Sequence, residues 1–189
     1  MKIKIALAAG IAAASMAGGA QANFIGNTIE ATACYPAICG DAGVSVTGGP
    51  VTSVVGAGTE FSDGQFGAFF GPTFDFGATT ISITHAATAH AGAAFNGYQF
   101  FDVLGLIDEI TAVSIASDST GFFSGDPGRV FFDADNIWIN FASLSFAGEI
   151  EPLIVLDVEF AAVPEPATLS LLGAGLLGFG LLRRRRRKA

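Results

Sequence analysis

Two cysteines, two histidines and an excess of carboxylates are the reactive groups in this 189-residue chain. Cys34 and Cys39 stand in the run Cys34-Tyr35-Pro36-Ala37-Ile38-Cys39. That spacing is not C-x-x-C, so neither a thioredoxin-type redox pair nor a haem attachment is supported, and zinc needs about two more nitrogen or sulfur ligands. In an exported chain such a pair is expected to form a disulfide, whose small loop limits the stabilisation to about 2 kcal/mol. Histidine as a free side chain titrates near neutral pH, so His85 and His90 each have the chemistry of a general base. Nucleophilic catalysis also needs a nucleophile and an orienting group in contact with that base. The sequence has no G-x-S-x-G, no H-E-x-x-H and no Gly-rich phosphate loop ending in Lys. The histidines are therefore expected on the surface or in loops, and no catalytic residue is assigned.

Sixteen acids lie between Asn23 and Ala162, against the single base Arg129. Glycoside hydrolysis needs two carboxyls about 5–9.5 Å apart, but among sixteen acids some pair meets that distance by chance. Asp133, Asp135 and Asn136, with Asp126 in the run Asp126-Pro127-Gly128, put hard oxygens in loops next to the Trp138 strand and are candidate calcium ligands, because Ca²⁺ takes six to eight oxygens from such loops. The segment lacks the EF-hand Gly at position six and Glu at position twelve, and solvated turn acids are the alternative. No other cofactor is expected. Trp138, Tyr98 and the many Phe residues would suit stacking on sugars, or equally the filling of a core.

The charge divides the chain in three. The first 22 residues carry +2, the last 27 carry +5, and the 140 between them carry −15. An acidic middle with one Arg excludes nucleic-acid binding by phosphate neutralisation. A span of 140 residues is long enough to bury a core unaided.

That middle part, residues 23–162, holds 18 of the 25 Gly and 17 of the 18 Phe, no Lys and few Leu. Period-two runs recur between Gly, Asp and Pro. They predict strands over Thr79–Thr84, Thr111–Ala116, Asn136–Asn140 and Leu153–Phe160, with further strands over Asn27–Thr32, Thr59–Phe61, Tyr98–Val103 and Arg129–Asp133. The expected fold is all-β, a two-sheet sandwich of jelly-roll or immunoglobulin-like type. A β-solenoid is disfavoured, because no fixed repeat of 18 to 25 residues is found. Ile137 and Ile139 point opposite to Trp138, and the pattern does not say which set is buried.

The two ends read as addresses. A basic start (Lys2, Lys4), an apolar stretch from Ile5 to Ala17 and Ala20-Gln21-Ala22 form a signal peptide over residues 1–22, with the mature chain beginning at Asn23. The apolar stretch is shorter than the roughly 20 residues a spanning helix needs, which argues against an uncleaved anchor. At the other end, residues 163–189 run Val163-Pro164-Glu165-Pro166, an uncharged stretch 167–182, and Arg183, Arg184, Arg185, Arg186, Arg187 and Lys188. The stretch is about 24 Å long as a helix, just under the ~30 Å hydrocarbon core, and the arginines are expected to snorkel and to mark the cytoplasmic side. Pro164 and Pro166 fix φ and remove two donors, so the motif joins neither sheet nor helix and stands as an exposed strip.

Val163-Pro164-Glu165-Pro166, the short Leu/Gly helix and the Arg-rich terminus resemble the PEP-CTERM sorting signal. The resemblance implies recognition of Pro164-Glu165-Pro166 by exosortase, a multipass membrane transpeptidase, with removal of the tail. It implies delivery to the outer surface or matrix of a Gram-negative, exopolysaccharide-producing bacterium. Glu60-Phe61-Ser62, Thr79–Thr84, Phe95–Phe100 and Asp135–Phe141 also resemble short secreted passenger domains of that family, to which no activity is assigned. The expectation is a non-enzymatic surface or matrix protein that crosses the inner membrane and is held transiently by its C-terminal helix. Signal peptidase and exosortase are its partners during export, and extracellular polysaccharide is a candidate partner afterwards. A secreted carbohydrate-active enzyme and a permanently anchored surface protein are the alternatives.

Overall fold

Alternation of Ile, Val and Phe with Thr, Ser and Asp places every second side chain on one face of an extended strand. In the computed structural model, which describes residues 23–62, 64–66, 71–86, 88–147 and 153–162, this alternation becomes nine strands. They are β1 (Thr28–Tyr35), β2 (Ser45–Val54), β3 (Thr73–Phe76), β4 (Thr80–Thr84), β5 (Gly97–Asp102), β6 (Ile110–Asp118), β7 (Val130–Phe132), β8 (Asn136–Asn140) and β9 (Leu153–Phe160). The expected signal peptide, the Pro-Glu-Pro motif, the helix 167–182 and the basic cluster lie outside the described residues. Among the described residues, no helix is long and apolar enough to cross a membrane.

The strands form two antiparallel sheets, one of order β2-β1-β5-β8-β7 and one of order β3-β4-β9-β6. Two hairpins, β1–β2 and β7–β8, belong to the first sheet and the β3–β4 hairpin to the second. The facing sides interdigitate as in a sandwich. Ile29, Ala31, Tyr98, Phe100, Ile137 and Ile139 come from one sheet, and Phe74, Phe76, Ile81, Ile83, Ile154, Leu156 and Val158 from the other. Phenyl rings bridge the gap: Phe74 lies edge-to-face with Tyr98 and Phe100 at centroid distances of 5.0 and 4.7 Å, and Phe76 meets Phe100 at 5.2 Å. The β8 ambiguity is thereby settled. Ile137 and Ile139 enter the core, and Trp138 takes the outer face.

Where the strands depart from the sequence reading, the causes are local. The Thr59–Phe61 stretch makes only an isolated bridge, Phe61 to Phe74, because Glu60 turns its carboxylate inward to bind backbone N–H groups. Strand β3 is four residues between glycines and a proline, too short to show a period. Strand β2 was masked by Gly48-Gly49-Pro50, which reads as punctuation. The strand nevertheless continues, because it lies at a sheet edge where a missing donor is tolerated. A Cβ at Gly48 would overlap the Phe66 carbonyl, and Gly49 takes φ of +94°. Strand β2 itself bulges there: the register shifts against β1 between Ala31 and Ala33, which oppose Val51 and Gly48, and between Ala33 and Cys34, which oppose Gly48 and Val46.

The expected disulfide is present: Cys34, at the end of β1, is bonded to Cys39 with the Cα atoms 5.5 Å apart. It closes the first turn of the β1–β2 connection. Replacing both cysteines by serine should lower the melting temperature by about 4–8 °C, the equivalent of about 2 kcal/mol. Phe74→Ala, which opens a hole where the two sheets meet, should cost about 3–5 kcal/mol in urea denaturation. A loss under about 1 kcal/mol would mean that the Phe-filled gap is not what holds the sheets together.

Candidate functional site

Four of the acids are committed to backbone. Asp118, at the end of β6, accepts through Oδ1 from the Thr120 N–H, the Thr120 hydroxyl and the Gly121 N–H, and through Oδ2 from the Phe123 and Ser124 N–H groups. Burial opposes its ionisation, but the Thr120 hydroxyl and the N–H groups of Ser124, Thr120 and Phe123 outweigh that and hold its pKa down to about 2. This loop clamp delivers Phe122 and Phe123 to the core. Asp102 accepts from the Leu104 and Ile107 N–H groups, and Glu60 from those of Gly56 and Phe76. Each has one end of a connection in its grip.

Asp133 does the same for the β7–β8 hairpin. Its Oδ1 accepts from the Asp135 N–H, the Asn136 N–H and Asn136 Nδ2, and these bonds lower its pKa against the opposing effect of burial. Asp133, Asp135 and Asn136 thus come together as a hydrogen-bonded turn of the type that Asp favours. Among the described residues, no three His, Cys, Asp or Glu side chains gather into a group that could hold a metal ion. Asp126 lies elsewhere, in an ion pair with Arg129 (Oδ2 to Nε, 3.3 Å) whose angle does not make a hydrogen bond. Arg129 Nη1 donates to the Ala142 carbonyl at 2.9 Å, so the domain's one base ties down the loop after β8.

Both histidines lie in the connection between β4 and β5, the loop placement expected of them, but they turn toward the core, and His90 is half-buried. His85 is buried, and its Nε2 lies 2.7 Å from His90 Nε2. The Ala86 carbonyl, 2.7 Å from His85 Nδ1, can only accept, so Nδ1 carries the proton and His85 Nε2 accepts from His90 Nε2–H. His85 stacks on Phe146 at 4.0 Å and His90 on Phe141 at 5.1 Å. Sequence could not show this, because Phe141 and Phe146 lie more than fifty residues away along the chain. Rings replace water around the pair. Burial first, and the neighbouring His85 second, push the His90 pKa from 6.5 to about 4, against a hydrogen bond that the protonated ring donates to Asn96.

Between these two pKa values the unfolded chain binds a proton at His90 that the folded chain refuses. Stability contributed by the neutral imidazole is therefore full above about pH 6.5 and is lost as the pH falls toward 4. The loss should amount to about 2–3 kcal/mol, and His90→Gln should flatten the stability profile over that window. Denaturant midpoints measured from pH 7.5 to 4.5 would check it, and an equally steep fall in the variant would assign the acid sensitivity elsewhere.

The aromatic side chains divide by face. Tyr98 is buried between Phe66 and Phe74 and offers no platform, whereas Trp138 stands on the outer face of the five-stranded sheet, stacked on Phe131 with centroids 5.4 Å apart. No curated protein and no solved structure matches the chain. Residues 162–187 match the family model described as the PEP-CTERM protein-sorting motif. The match covers Val163-Pro164-Glu165-Pro166, the apolar stretch and the five arginines, and such a motif implies export, exosortase as the processing partner, and a surface or extracellular destination. The chain carries a PEP-CTERM protein-sorting motif.

Proposed function

We propose that this is a non-enzymatic surface or matrix protein of a Gram-negative, exopolysaccharide-producing bacterium. It is led across the inner membrane by residues 1–22, held transiently by residues 167–182, and cut near Pro164-Glu165-Pro166. The β-sandwich is then the cargo, with a structural or binding role in the extracellular polysaccharide layer. The match of residues 162–187 to the sorting motif carries this reading. The acids support it as well: Glu60, Asp102, Asp118 and Asp133 each accept hydrogen bonds from backbone N–H groups that shape loops, which is architectural work. A net charge of −15 over residues 23–162 keeps such a cargo soluble by repulsion. Association with an anionic polymer would then need divalent cations, or contacts to uncharged sugar.

Replacing Pro164, Glu165 and Pro166 together by alanine in the producing cell tests the sorting step. The wild-type protein should be recovered from the surface or medium in trimmed form, and the variant at full length in the membrane fraction. An unchanged distribution of the variant would exclude the motif as the determinant.

A further inference from the structure

The outer faces of the two sheets differ in chemistry. In an antiparallel pair, residues directly opposite share a face, so the register gives the rows. On the four-stranded sheet one outer row reads Asp75, Ser82, Val155, Ser117 and the next Thr80, Asp157, Ser114. These are small or acidic side chains with no ring among them. On the five-stranded sheet the corresponding rows read Thr52, Glu30, Phe101, Asn136 and Thr32, Gln99, Trp138, Phe131. Three aromatic side chains are thus presented on one side of the sandwich.

Between the rows lies a cleft of about 190 Å³ lined by Glu30, Thr32, Gln99, Phe101 and Asn136. Phe101 keeps 37% of its surface exposed there. Its neighbours are held in place: Gln99 Nε2 donates to Asn136 Oδ1 at 2.6 Å, and Asn136 Nδ2 donates to Asp133 Oδ1, which the hairpin turn fixes. The cleft therefore combines one apolar ring, two oriented amides, one hydroxyl and one carboxylate. It is smaller than the roughly 300–1,000 Å³ that encloses a free small molecule, and it suits one unit of a longer chain lying across the sheet.

Charge selects the occupant. No cation lines the cleft, Glu30 does, and the surrounding domain is strongly acidic. A phosphate, sulfate or uronate would meet like charge with nothing to neutralise it. An uncharged pyranose meets complementary groups instead. Its C–H face packs on a phenyl ring, and its hydroxyls donate to Glu30 and exchange hydrogen bonds with Gln99, Asn136 and Thr32. We propose that this cleft binds a sugar unit of a neutral polysaccharide. The proposal rests on the reading of a surface or matrix protein only for where that polysaccharide is met.

Trp138 is the one tryptophan in the chain and stands in the row beside the cleft, so its emission reports on occupancy. The full chain, purified in a detergent without a sugar headgroup, is titrated with cellohexaose, laminarihexaose and mannohexaose as neutral probes and with oligogalacturonate as the acidic one. At least one neutral hexasaccharide should give a saturable shift that persists in roughly 0.5 M salt, since no ion pair is involved. Phe101→Ala and Gln99→Ala should each weaken it by about tenfold or more, while Asp75→Ala on the opposite sheet should leave it unchanged. Melting temperatures of the variants establish that they fold, and Gln99→Ala decides the question if Phe101→Ala does not. The proposal is overturned by the absence of binding to all three neutral probes, by tighter binding of oligogalacturonate, or by wild-type affinity in the folded variants. A dimer that comes apart on Phe101→Ala would also overturn it, placing a second copy on this face. The titration uses purified protein, so a failure of the sorting reading would not alter its outcome.

Discussion

The gap between the two sheets is what the structure depends on. Facing sheets stand about 10 Å apart, and a chain with few Leu must fill that space with something large. Phenyl rings do so. Phe74 and Phe76 reach across to Tyr98 and Phe100, Phe61 joins both sets, and Phe66 and Phe141 extend the contacts along the sandwich. Edge-to-face pairs at these distances contribute beyond the area they bury, by about 0.5–1.5 kcal/mol each. Packing of this kind also explains the histidine pair, whose imidazoles take places in a row of aromatic rings beside Phe141 and Phe146. A ring that accepts a proton there does so in surroundings that solvate charge poorly.

A core built of rings leaves the loops to be organised by other means. This domain has no lysine and one arginine, so its carboxylates have few cations to pair with. Several turn instead to the backbone: Asp118 takes five hydrogen bonds from the segment that follows β6, and Asp133 closes the hairpin that sets β7 against β8. The same Asp133 orients Asn136, and Asn136 orients Gln99 on the outer face. A turn acid thus reaches the cleft through two amides, which links the fold's loop chemistry to the surface that we assign to a ligand.

Much of the architecture was legible because its physics is local. Strands β8 and β9 match their expected bounds, and β4 falls within one residue of its own, since their alternation is uninterrupted. The disulfide followed from compartment and spacing. Strand β2 was not legible, because Gly48-Gly49-Pro50 reads as punctuation and what lets the strand continue through it is its place at a sheet edge, which only the tertiary fold decides. The histidines lie in a loop as expected, but their pairing and their aromatic surroundings were not legible, for the same kind of reason. Trp138 drew attention as a ring, but its neighbours on the outer face come from β1, β5 and β7, and only the register brings Thr32, Gln99 and Phe131 alongside it. The sorting motif was readable because its parts are contiguous.

The account makes the acidic sandwich a cargo and the two ends removable addresses. Intact-mass spectrometry of the protein recovered from its native cell surface or medium addresses this directly. The account predicts a chain that begins at Asn23, lacks the Arg183–Lys188 cluster and retains the whole β-domain. A native protein that keeps the basic cluster would contradict it, and would make the C-terminal segment a permanent anchor.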